Sequence, residues 1–179
     1  MRRSAGFLKF LASVALFFEV VCTVILIAVE AILVMAGKFS ELAEKSGAIT
    51  VSGGTMTPEE MDALKPVVLA VIAFGIIALL LAALGTLKTR QALEEIKSER
   101  PFSDKAIDSI RAAARLEVIG GIVGILGSIV LSTMASQLKI NGASAGQSSM
   151  TFHLSFVILA AEKYMFYHVA KYGQSLEMK

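Results

Sequence analysis

Glu19, Glu30, Glu162 and Lys163 stand inside long apolar runs. An ionisable group at membrane depth is costly and is retained where it is used or paired. Glu19 and Glu30 are eleven residues apart, which leaves them only about 20° apart around a helix. One helix face therefore carries both carboxylates. With Glu162 and Lys163 they make a candidate intramembrane polar cluster, and two kinds of chemistry fit it. The cluster lines a route for a proton or cation, or its members pair inside a helical bundle and fix helix register, Glu19 with Lys163 at similar depth. Pairing is the preferred reading, because four spans without a broken helix make a poor transporter. Glu117, at the edge of a third apolar run, is expected to reach water or Arg115.

Other site chemistries find no residues to carry them. No His/Cys/Asp/Glu group has metal-ligand spacing, and the single cysteine, Cys22, sits in an apolar run as a small hydrophobe. Gly120-Gly121 lies within a hydrophobic helix rather than after a strand, so it is no phosphate loop. No nucleophile elbow or Ser-His-Asp set is evident. The expectation is a protein that is not an enzyme, with no catalytic residue, no cofactor and no metal. The basic loop is short and balanced by acids, which argues against nucleic acid as a partner.

The elements that must position these residues are transmembrane helices. The chain has 179 residues, 55% hydrophobic and 18% charged, with a formal charge of +2. A soluble domain carries about a quarter charged residues. A span needs about 20 mostly apolar residues. Residues 66–87 and 117–138 satisfy this with charges only at their edges, and 7–37 is long enough despite its two glutamates. The fourth run, 152–172, is interrupted by Glu162-Lys163 and competes with an interfacial helix. The first run is too long for a cleaved signal peptide, and Ser4-Ala5-Gly6 separates the arginine pair from the Phe-Leu-Lys that a twin-arginine signal would place close behind it.

Lysines and arginines set the orientation. Arg2, Arg3 and Lys9 open the chain, seven basic residues fill 88–116, and Lys171 and Lys179 close it. The loops 38–65 and 139–151 are poor in them or balanced by acids. The expected fold is all-α, one membrane domain over 1–179. It is an integral four-transmembrane-helix bundle with both termini in the cytoplasm and a cytoplasmic helical hairpin between spans two and three. The expected location is the inner, cytoplasmic membrane.

Local signals refine the loops. Gly47, Gly53 and Gly54 make the middle of the first outer loop irregular. Thr57-Pro58-Glu59-Glu60 is a capping box with proline at the first helical position, and Pro66 stands where it could kink the junction with span two. Residues 88–98 are good helix formers, with Arg90 and Glu94 four apart. Arg100-Pro101-Phe102 breaks that helix and Ser103 caps the next, with Asp104 in its first turn. Residues 141–149 read as a flexible loop. Along span three, Gly120, Gly124, Ser128, Ser132 and Ser136 recur every four residues, and Gly121 and Gly127 widen the stripe. Such a stripe lets helix backbones approach closely, either within the bundle, which is preferred, or against a second copy in a homo-oligomer.

Two short segments carry a resemblance. Arg100-Pro101-Phe102-Ser103, with Ile110 and Arg111 in the helix that follows, and Tyr172-Gly173-Gln174-Ser175-Leu176-Glu177 after span four resemble a family of small bacterial four-span membrane proteins of unknown function. In that family a Pro-Phe turn opens the third helix and a Gly-x-x-Leu segment follows the fourth. Its members tend to run on past the point where this chain has Lys179, and they often stand beside a small helix-turn-helix regulator. The resemblance implies a regulatory or sensing membrane protein and supplies no catalytic residues. The expected function is a non-enzymatic protein that binds or regulates a partner, either another membrane or cytoplasmic protein, with the bilayer itself as its constant contact. The alternative is a small oligomeric ion or proton channel, or a transporter, using the intramembrane glutamates.

Overall fold

A computed structural model describes residues 2–41, 57–98, 102–140, 143–144 and 155–177. The element order is α1 (Arg2–Met35), α2 (Pro58–Lys97), α3 (Asp104–Gln137), β1 (Lys139–Ile140), β2 (Ala143–Ser144) and α4 (Ser155–Glu177). At 1.5 Å per residue the 34, 40 and 34 residues of α1, α2 and α3 extend about 51, 60 and 51 Å, more than the roughly 30 Å of a bilayer's hydrocarbon core. These three helices are long and apolar enough to cross a membrane, and among the described residues they are the three that are. The 23 residues of α4 form a helix through Glu162-Lys163 without reaching that apolarity.

The distribution of side chains is that of a membrane protein. Phe7, Phe10, Phe17 and Phe18 on α1, and Ile158, Phe166 and Val169 on α4, are all more than half exposed. Among the described residues, seven of the ten buried hydrophobic ones are alanines: Ala5, Ala92, Ala106, Ala113, Ala114, Ala160 and Ala170. A soluble core would hide the large residues. Here the small ones are inside, which brings backbones close, and the large ones face outwards, where lipid is as apolar as they are. Cys22 is also exposed.

The chain forms two compact units, Met1–Thr23 with Ile77–Val123 and His153–Lys179, and Val24–Ile76 with Gly124–Phe152. All seven buried alanines lie in the first. There α1 and α2 are antiparallel, with Lys9 on Glu94 at 2.8 Å and Glu19 on Thr86 at 3.0 Å. The turn from α2 to α3 is tied by Glu95, which takes Lys105 at 2.9 Å, and by Ser103. As expected of a cap, Ser103 accepts from the Ala106 amide at 3.2 Å. Its own carbonyl accepts from Ile107. Ile107 and Ala114 are buried on the same face of α3.

The second unit contains the capping box. Thr57 donates its amide to Glu60 Oε2 at 2.9 Å, and Thr57 Oγ1 accepts from the Glu60 amide at 3.3 Å. The α2 helix then runs through Pro66. Asp62 accepts from the Ser40 amide at 2.9 Å, and that hydrogen bond holds its carboxyl below the ordinary range. Lys65 Nζ donates to the carbonyls of Ala36, at 2.5 Å, and Gly37. A Cβ on Gly127 would lie 3.0–3.4 Å from the Phe74 ring, so glycine here admits the close approach of α3 to α2. Residues 139–140 pair with 143–144 as an antiparallel bridge, an order the flexible-loop reading did not foresee. The rest of that loop, the glycines at 47, 53 and 54, and Arg100-Pro101 lie outside the described residues.

The capping box gives a direct test. Thr57→Ala removes an acceptor from the first turn of α2 and should cost about 1 kcal/mol, read as a lowered thermal midpoint of the purified protein in detergent. An unchanged midpoint would show that this cap contributes nothing to stability.

Candidate functional site

The four ionisable residues singled out from sequence do not converge on one another. Glu19 and Lys163 both belong to the first unit, yet each takes another partner. Lys163 Nζ lies 2.5 Å from Glu117 Oε2, with the two side chains 27% and 25% exposed. The expected Glu19–Lys163 pair is thus replaced by Glu117–Lys163, and the described ion pair of Glu117 is with Lys163 rather than Arg115. The register of α3 against α4 explains the choice. Asp104 accepts from Gln174 Nε2 at 2.7 Å, and the Arg111 guanidinium stands 5.6 Å over the Tyr167 ring. An antiparallel helix pair with those two contacts brings Glu117 and Lys163 opposite each other. Tyr167 in turn meets His168 edge to face.

Glu19 is held differently. Its Oε1 accepts from Thr86 Oγ1 at 3.0 Å. Its Oε2 is buried and has no hydrogen-bond partner among the described residues. One turn later the Thr23 hydroxyl donates to the Glu19 carbonyl at 2.7 Å, and Thr23 is itself buried. The lysines of this unit for which partners are described are engaged elsewhere: Lys9 with Glu94, Lys88 with Gln91, Lys105 with Glu95 and Lys163 with Glu117. A charged carboxylate in apolar surroundings without a countercharge costs roughly 3 kcal/mol on insertion scales.

Glu162 is exposed on α4, and Glu30, half-buried on α1, belongs to the second unit. Neither has an ion pair among the described residues. Among the stripe residues of α3, a Cβ on Gly120 or Gly124 would meet nothing within 4 Å, and Ser128 turns its hydroxyl back to the Gly124 carbonyl at 2.9 Å. Ser132 is half-buried. The close contact of α3 falls to Gly127, one of the glycines that widen the stripe. No group of three or more metal-ligating side chains occurs among the described residues.

Two functional contacts were not foreseen. One is Thr86 as the partner of Glu19. The other joins the two segments that carry the family resemblance. A Cβ on Gly173 would stand 2.5–2.9 Å from the ring of Phe102, so the end of α4 lies directly on the turn between α2 and α3. With Gln174 on Asp104 beside it, turn and tail make one surface. Exposed Asp108, Arg111, Arg115 and Lys171 flank it in sequence. The signal was present in the sequence as two motifs but not as a pair.

No family model, no curated protein and no solved structure matches the chain.

The Lys163–Glu117 pair predicts a definite pattern of stability. Removing one partner of a buried pair leaves the other uncompensated and costs 3–5 kcal/mol when burial is complete. With a quarter of each side chain exposed, Lys163→Met or Glu117→Leu should cost about 1–3 kcal/mol. The double variant should recover most of that loss in thermal melts. Additive losses would show that the two residues do not act as a pair.

Glu94 supplies a pH test. The Lys9 ammonium, hydrogen-bonded to it, holds the Glu94 carboxyl below its ordinary value of 4.5. A carboxyl lowered in the folded state contributes stability above its unfolded value and loses it as the pH falls through the folded value. NMR titration should therefore find Glu94 below the ordinary value in the wild type and closer to it in Lys9→Met. Identical titrations would break the assignment of Lys9 as the cause.

Proposed function

We propose that the chain is a non-enzymatic, four-span protein of the cytoplasmic membrane that binds and regulates a protein partner through its α2–α3 turn and the end of α4. The observation that carries this reading is the seating of Gly173 on Phe102, with Gln174 on Asp104 at 2.7 Å. Two segments about 70 residues apart in sequence are built into a single surface at one end of the first unit, and the surface holds no catalytic constellation among the described residues. Basic residues concentrated at the chain start, in the α2–α3 loop and in the tail support a cytoplasmic position for that surface and for both termini. The resemblance to small four-span proteins supports the regulatory role. The partner is a membrane or cytoplasmic protein, or a second copy of the chain.

The test is site-directed photo-crosslinking in native membranes of the full-length protein. Probes replace Ser175 or Asp108 at the turn and tail, and Glu59, in the second unit, as a control. The expected result is a discrete crosslinked protein from Ser175 and Asp108, absent from Glu59 and lost when Gly173→Leu forces the tail off Phe102. Crosslinking to lipid alone would remove the partner-binding reading. Proton or potassium flux in proteoliposomes that vanishes in Glu19→Gln would put a channel or transporter in its place.

A further inference from the structure

We infer that Glu19 and Thr86 form a binding site for one monovalent cation, a proton or a sodium ion, at the α1–α2 interface of the first unit. The inference does not depend on the partner-binding role. Glu19 Oε1 is held by the Thr86 hydroxyl at 3.0 Å. Oε2 is buried beside it with no hydrogen-bond partner among the described residues. Buried polar atoms in folded proteins are almost always satisfied, and those that look orphaned point to a bound water or ion, or to a functional role. The described lysine pairs of the unit go elsewhere, and no ion pair to this carboxylate occurs among the described residues.

The stoichiometry follows from charge. A single carboxylate in an apolar interface is neutralised by one positive charge. A divalent ion would leave an excess charge in the same costly setting. The hydroxyl of Thr86 spends its proton on Oε1 and keeps lone pairs, so an alkali ion at the carboxylate would meet a second neutral oxygen. A proton on Oε2 would need none. There is room at this level of α2: Gly85, the neighbour of Thr86, is buried, yet a Cβ placed on it would meet nothing within 4 Å.

The probe is N,N′-dicyclohexylcarbodiimide, which enters bilayers and reacts with carboxyls that hold a proton. The proton passes to a carbodiimide nitrogen, the carboxylate oxygen bonds to the central carbon, and the acyl group then shifts to nitrogen. The protein gains the mass of one reagent and loses nothing. The full chain in nanodiscs is treated at neutral pH with choline as the only added cation, and labelled residues are mapped by mass spectrometry. Glu19 should label at least tenfold faster than the exposed Glu59. Two arms then separate the cations. Labelling of Glu19 that falls as sodium is added at fixed pH identifies the alkali ion. Labelling indifferent to sodium but lost at higher pH than that of Glu59 identifies the proton. Thr86→Val keeps the size of the side chain and removes the hydroxyl, so it should shift the sodium or pH midpoint severalfold while the thermal midpoint stays near wild type. Glu19 that labels no faster than Glu59, or that ignores sodium, pH and Thr86→Val alike, would overturn the site.

Discussion

Alanine is the residue on which the first unit depends. Where Ala5, Ala92, Ala106, Ala113, Ala114, Ala160 and Ala170 are buried, helix axes can approach until backbones nearly touch. That proximity leaves little space for water between helices. Each polar side chain on an inward face must therefore be satisfied by a neighbouring helix or by its own backbone. Thr23, Ser13 and Thr89 do the latter, bonding to carbonyls four residues back. Lys163 and Glu117 do the former. Glu19 does so with only one of its two oxygens, and this sets it apart from its neighbours.

Much of the local structure was legible because it is written in short-range rules. The capping box at Thr57–Glu60 and the Ser103 cap came from residue types at fixed spacing. Both the helical run to Lys97 and the three long apolar helices came from composition. Those signals need no knowledge of where another helix lies. The pairing of Lys163 was not legible for the opposite reason. Glu19 was the acid expected at the depth of Lys163 and Glu117 stood at the edge of its run, and only the register of α4 on α3, set by Asp104–Gln174 and Arg111–Tyr167, brings Glu117 to the lysine. The same applies to Gly173. A glycine after a helix reads as a terminator, and nothing local states that an aromatic ring from the α2–α3 turn will occupy the space its side chain would have taken.

The small-residue stripe of α3 shows that its members do not all face the same neighbour. A repeat of four on a helix with 3.6 residues per turn drifts by about 40° at each step, so Gly120 and Ser132 are about 120° apart. The residue that admits a neighbour is Gly127, seven positions after Gly120 and almost directly in line with it, where Phe74 packs. What matters for close approach is the direction a position faces, and a spacing of seven keeps that direction better than a spacing of four.

The bond from Lys65 to the last carbonyls of α1 bears on how the chain is put together. Ala36 and Gly37 lie beyond the final turn of their own helix, and their carbonyls are answered by a side chain 29 and 28 residues further on. During synthesis α1 reaches the bilayer first, with that end incomplete. Only when the start of α2 has emerged is the end closed. The end of the first helix is therefore a composite of two segments, and the start of the second helix belongs to it as much as its own last turn does.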